Sequence, residues 1–326
     1  MKRSAGSKFT LFTENTALLR GAYRWQNAMI LRLCAFLYTA HGQAVDLDGF
    51  AESRALIKKD TGAFSMFRSS SVLSAAAFVA LAPDREECFK KTLAYYNAFK
   101  ENRFSASEFL ALAACQCAQY APEGNASAIA ARARAFYVGL RQAHWFLTGH
   151  DDVIFAAMLA LSPLDVEEGV MRIEENYRFF KPVFHAGAGV QALSQTLVIS
   201  GAQYAARERV LVLYEAFREK KLRFNRQYCI SALGVLALLP MGTDEIVEQV
   251  ARIFERLRTA KGFGAWSVTK RELMLLSSGL AALDTLGQAK SDVLSTSLFS
   301  SVIGLVIAQQ TALAAAAAAS ASSASS

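Results

Sequence analysis

The chain has 326 residues, 53% of them apolar and 19% charged, with a formal net charge of +7. This composition excludes an intrinsically disordered chain, which lacks the apolar side chains to build a core, and a small disulfide-stapled module. At this length one compact core is near its limit, so two domains or a repeat array are expected.

In chain order, residues 1–16 read as an N-terminal arm. Met1 to Phe12 carries Lys2, Arg3 and Lys8 with no apolar run after them, which does not fit a secretory signal. Tyr23 to Ala40 and Leu47 to Lys59 make a first helical hairpin, with Gly62 as a left-handed stop after the second helix. Dense Ala/Leu stretches then recur: Val72 to Ala82, Phe109 to Ala118, Ile154 to Leu161, Val190 to Ile199 and Ile230 to Leu239. Small residues mixed with Leu and Val on every side predict helices buried nearly all round. Between them lie longer amphipathic segments. In Asp84 to Arg103, the residues Phe89, Leu93, Tyr96 and Phe99 fall on one helical stripe. Thr269 to Asp284 and Asp292 to Gln310 close the series, and residues 314–326 are an Ala/Ser tail.

The amphipathic segments share a short pattern of an aromatic, two residues, a large apolar residue and a base. It stands as Tyr96…Phe99-Lys100, Tyr137…Leu140-Arg141, Tyr177…Phe180-Lys181, Tyr214…Phe217-Arg218 and Phe254…Leu257-Arg258, at spacings between 37 and 41 residues. A unit of about 40 residues with two helices is the size of HEAT and armadillo repeats. Residues 17–313 therefore read as a single all-α domain of about seven helical hairpins forming an α-α superhelix, with a closed α/α toroid as the alternative. Pro83, Pro163 and Pro240 fit the first position of the helix that follows each Ala/Leu segment, where a missing N–H costs nothing. The acidic Asp84, Asp165 and Asp244 then favour the helix dipole.

Chemistry, in such an array, sits on a rim. The polar loop from His144 to Asp152 opens the third full hairpin and His185 closes it, so three of the four histidines map to one edge. His150, Asp151, Asp152 and His185 are adequate metal ligands, with His150, Asp151 and His185 as the first choices for a divalent ion. A His-Asp pair also suits general-base chemistry. The same residues fit a plainer role, with Asp151 or Asp152 capping a helix and Thr148-Gly149 turning the chain. Arg68, with the hydroxyls of Ser69, Ser70 and Ser71 ahead of a helix, is a second rim candidate for phosphate or carboxylate, although Phe64 and Phe67 read as core plugs there.

Bases recur where the amphipathic helices end (Lys100, Arg103, Arg141, Lys181, Lys220, Lys221, Arg223, Arg258 and Lys261). They complement the helix dipoles and, aligned on one rim, form a positive strip. The charge is too mild and the aromatics too core-like for nucleic acid to be the expected partner. Trp145 and Trp266 flank rim loops and read as packed. Five scattered cysteines read as reduced thiols of a cytoplasmic protein. Residues 293–319 carry no charge and are long enough to raise a membrane span, but Ser, Gln309 and Gln310 within them favour a capping helix. No cofactor is expected.

Tyr23-Arg24-Trp25, Thr61-Gly62 before Phe67-Arg68, Thr148-Gly149-His150-Asp151-Asp152 and the Ala/Ser tail together resemble a bacterial family known as domain of unknown function 4003. The resemblance implies an all-helical protein with no assigned activity, and it transfers no site residue. The residues themselves point first to a binding or scaffold module whose partner is a protein or a small anionic ligand. The alternative is a metal-dependent or acid/base hydrolase centred on His150, Asp151, Asp152 and His185.

Overall fold

The computed structural model describes residues 8–288 apart from 70, 122–124, 146, 186, 203, 225–228 and 265–266. Fourteen α-helices and one 3-10 turn account for the regular structure of the described residues, which contain no strand. These residues divide into two compact bodies, one of residues 10–166 and one of residues 167–288 with Lys8 and Phe9.

The first body holds α1 (Lys8–Ala22), α2 (Ala28–Ala40), α3 (Leu47–Asp60), α4 (Val72–Ala80), α5 (Arg85–Glu101), α6 (Glu108–Tyr120), α7 (Ala126–Ala143) and α8 (Asp152–Leu161). α2, α4, α6 and α8 touch one another in succession and form an inner row. These are the Ala/Leu helices, and nearly every residue of α4 and α8 is buried. Small side chains allow close approach on several faces at once, which is what a helix enclosed by neighbours needs. α3, α5 and α7 form an outer row, and each buries one stripe.

Each outer helix packs most extensively on the inner helix that follows it: α3 on α4, α5 on α6, α7 on α8. The sequence pairing had joined each inner helix to the outer helix after it. The links explain the difference. Phe104, in the link from α5 to α6, is buried with its ring edge-on to Phe99 (5.5 Å) and to Tyr137 (5.4 Å), and so fills the seam on that side.

The helix ends are set by local chemistry. Asn27, Asp46, Asp84, Ser107 and Asn125 are N-caps whose side chains accept first-turn N–H groups. After α5 the chain turns through Arg103 at φ 65°. The Arg103 N–H donates to Lys100 O (3.0 Å) and the Phe104 N–H to Phe99 O (3.1 Å), the paired closure that a left-handed residue makes possible. Lys221 after α11 (φ 60°) repeats it, with its N–H on Arg218 O (2.9 Å) and that of Leu222 on Phe217 O (2.9 Å).

The second body contains α9 (Val166–Phe184), α10 (Gly187–Ile199), α11 (Ala205–Glu219), α12 (Ile230–Leu236), α13 (Thr243–Thr259) and α14 (Lys270–Gln288). α10, α12 and α14 touch in succession, α11 lies on α12 and α13, and α13 lies on α14. The recurring pattern keeps one role in four of its five copies, the exception being half-buried Tyr137. Phe99, Phe180, Phe217 and Leu257 are wholly buried, while Tyr96, Tyr177, Tyr214 and Phe254 are buried just beside them.

Several expectations need correction. Pro83, Pro163 and Pro240 lie in the links, ahead of helices that begin at Arg85, Val166 and Thr243. They act as stops after the inner helices, because proline cannot continue a helix. Gly62 is not left-handed. α3 is closed instead by the Thr61 hydroxyl, which donates to Ile57 O (2.6 Å) from an extended residue. The helix expected from Tyr23 starts at Ala28, where Asn27 caps it. α1 begins at Lys8, within the stretch read as an arm.

All five cysteines are free, and burial pushes the thiols of Cys34, Cys88, Cys115 and Cys117 up. No described helix is long and apolar enough to cross a membrane, and residues 293–319 lie outside the described residues.

Candidate functional site

Consecutive helices of the first body run antiparallel. Phe12 of α1 meets Phe36 of α2 edge-on (6.2 Å). At one end of the α7–α8 pair the Tyr137 hydroxyl donates to Gly149 O (3.3 Å), and at the other Arg132 Nε donates to Ala160 O (3.1 Å). The described residues of the links that enter inner helices (23–27, 61–69, 71, 102–107, 144–145 and 147–151) therefore share one rim. The described residues of the links that leave them (41–46, 81–84, 121 and 125) share the opposite one.

The entry rim is unlike the exit rim in its apolar side chains. Trp25 is 84% exposed, Phe64 98% and Trp145 74%, each in a different entry link. Among the described residues the exit links carry no exposed large apolar side chain. This corrects two expectations. Phe64 does not plug the core, because Phe67 alone fills that position, wholly buried against Phe89 (5.7 Å) and Tyr96 (5.1 Å). Trp145 is largely exposed in its link, where packing was expected, and Trp266 lies outside the described residues.

Between the α5–α6 and α7–α8 links the entry rim opens into a cleft of about 260 Å³. Arg103, Arg134 and Arg141 line it together with Tyr137, Ser107 and His150. Arg103 arrives through the left-handed stop of α5. Arg134 projects from mid-α7 and is held in place. Its guanidinium lies over the rings of Phe104 (5.5 Å) and Tyr137 (5.6 Å), and Nη1 donates to Arg103 O (3.3 Å). Ser107 caps α6, so the positive end of that helix dipole borders the same cleft. Burial raises the pKa of the Tyr137 phenol, and Asp152 adds to the rise while Arg141 and Arg134 oppose it. Among the described residues no carboxylate lies within ion-pair distance of Arg103, Arg134 or Arg141.

That lack of pairing distinguishes Arg141 from the bases at the equivalent place in other copies. Arg218 bonds Glu215 (2.6 Å) and Arg258 bonds Glu255 (2.5 Å). Lys181 donates to His185 O (2.9 Å) and lies over Tyr177, and Lys100 lies over Tyr96.

On the exit side the cations are engaged. Arg85 pairs with Glu52 and with Asp46 (3.4 Å). Arg132 donates to the carbonyls of Ala160, Ser162 and Leu164, closing the C-terminus of α8. The second body repeats this clamp: Arg172 donates to Ala202 O (2.9 Å) and Arg209 to Met241 O. All three arginines stand five residues before the recurring tyrosine, a signal present in the sequence and missed there.

The residues singled out in the sequence fall as follows. His150 lines the cleft and is exposed. Asp151 precedes α8 without making a side-chain cap, and buried Asp152 accepts the Gly149 N–H (2.8 Å). His185 belongs to the other body, at φ 60° in the stop of α9. Arg68 is directed at α3, donating to the Thr61 hydroxyl (3.3 Å) and to Lys58 O. The Ser69 and Ser71 hydroxyls both donate to Met66 O (2.6 and 2.8 Å). Among the described residues no group of three or more His, Cys, Asp or Glu stands where it could hold a metal ion. Sequence reasoning did not find Arg134. The only hint is that the matching position of the other copies holds Leu93, Glu174, Leu211 or Ala251.

A family model described as a protein of unknown function (DUF4003) matches residues 15–312. Comparison with curated proteins and with solved structures gave no match.

Proposed function

The chain belongs to this DUF4003 family, and on that premise we propose that it is a helical-hairpin repeat protein that works as a binding module, with the entry rim of residues 10–166 as its binding face. The observation that carries the reading is the asymmetry of that body. One rim presents Trp25, Phe64 and Trp145 to solvent beside arginines that line an open cleft, whereas the other exposes no such aromatic and holds Arg85 on carboxylates and Arg132 on carbonyls. Large aromatic side chains and Arg are the residue types that dominate binding energy at protein interfaces. These three aromatics leave most of their area in water, and docking would remove that apolar area from it. The partner in this reading is a protein that covers the aromatic tips, with the arginine cleft receiving an anionic group.

Capture from cells that make the protein tests this directly, using the full chain, a Trp25→Ser/Phe64→Ser/Trp145→Ser variant and an exit-rim control, Glu52→Ala. A partner held by the full chain and the control but lost from the triple variant is the expected result. A partner retained equally by the triple variant would rule out this rim as the binding face.

A further inference from the structure

We propose that the cleft between the α5–α6 and α7–α8 links is a site for a phosphate dianion, free or as the terminal group of a small ester. The inference rests on the binding-module reading above and names a ligand class for the same rim.

Charge comes first: Arg103, Arg134 and Arg141 all line a cleft of about 260 Å³. Three like charges lining one cleft repel one another, and elsewhere on this chain comparable arginines are given a carboxylate or a row of carbonyls. Asp152 and Asp151 stand close enough to act on Tyr137, but neither forms an ion pair with any of the three arginines, which outnumber them. The positive end of α6 adds to the same field. The fold thus tolerates a local excess of positive charge that a bound anion would neutralise.

Geometry then favours phosphate over a carboxylate. A guanidinium offers five N–H donors in a fixed plane and binds two oxygens of one ligand side by side. Arg134 is immobilised by Phe104 and Tyr137 and gives one donor to Arg103 O, so its remaining donors are preorganised. Three arginines, one from the α5–α6 link and two from α7, offer more donors than the two oxygens of a carboxylate can accept, and a phosphate dianion supplies further acceptors. The Ser105 and Thr148 side chains line the same wall. The size also limits the ligand: pockets for drug-sized molecules run to about 300–1,000 Å³, so this cleft suits a phosphate with a few further atoms.

Isothermal titration of the full chain at low salt with inorganic phosphate, glycerol 3-phosphate and succinate decides the matter. The expected result is saturable one-site binding of phosphate, with succinate at least about tenfold weaker. Arg141→Ala should weaken phosphate about tenfold or more. Because Arg141 is exposed, it should do so with an unchanged melting curve, and Arg134→Lys, which keeps the charge and loses the fork, should weaken it as well. Tighter binding of glycerol 3-phosphate than of phosphate assigns an ester ligand, and equal binding assigns the free ion. Absence of phosphate binding, succinate binding as tightly, or an Arg141→Ala variant that binds like the parent would each overturn the proposal. If phosphate fails while partner capture still depends on Trp25, Phe64 and Trp145, only the ligand class is lost. If capture is indifferent to those three, the rim reading itself is lost.

Discussion

The two rims of the 10–166 body both carry arginines, and they use them differently. On the exit side Arg132 closes the C-terminus of α8 through three carbonyls, and Arg85 is held between Glu52 and Asp46. On the entry side Arg103 and Arg141 serve no such end, and Arg134 is stacked in place above a cleft. Arg132 and Arg134 are two residues apart on one helix, so the contrast comes from what each one faces. In the reading proposed above, stability is the task of the exit side and binding that of the entry side.

The comparison can be broken by mutation. The largest effect is expected within a single entry link. Phe67→Ala removes a wholly buried ring and should cost about 3–5 kcal/mol in denaturant unfolding, whereas Phe64→Ala, three residues earlier and almost fully exposed, should stay within about 0.5 kcal/mol. Equal losses for the two would mean that the link is packed otherwise than described.

Next comes the exit-rim clamp. Arg132→Ala leaves three carbonyls at the end of α8 without their charged donor and should cost about 2 kcal/mol. Arg172→Ala, which loses one such carbonyl, should cost about 1 kcal/mol by the same measurement. A neutral Arg132→Ala would show that these bonds are replaced by water at no cost. The smallest effect sharpens the comparison of bases. Removing Glu215, the exposed partner of Arg218, should change stability by less than about 0.5 kcal/mol. A larger loss would give that surface pair a structural weight that its exposure does not suggest.

Much of this was legible in the sequence. The five aromatic-to-base patterns located the outer helices and their buried stripe, because a residue at helical spacing from Phe99 or Phe217 has only one side on which to hide. The Ala/Leu segments located the inner helices to within a few residues. The pairing of inner with outer helices was not legible, since Phe104 closes its seam only once Tyr137, more than thirty residues later, is beside it. Nor was the rim chemistry. Ala131-Arg132-Ala133-Arg134 reads as two equivalent cations, and only the packing of α7 against the end of α8 and the end of α5 separates them. The histidines drew notice for their rarity, yet His185 serves as a helix stop and His150 is one wall residue among several. Phe64 and Phe67 show the same limit, because periodicity is lost in a link and only one of two similar rings finds the core.

The most direct measurement places the two rims side by side: unfolding free energy and phosphate affinity, both determined for Arg132→Ala and for Arg141→Ala in the full chain. The account predicts a crossed result. Arg132→Ala should lose about 2 kcal/mol of stability and keep its affinity, while Arg141→Ala should keep its stability and lose affinity about tenfold. An Arg141→Ala variant that unfolds as readily as Arg132→Ala, or that binds phosphate undiminished, would contradict it.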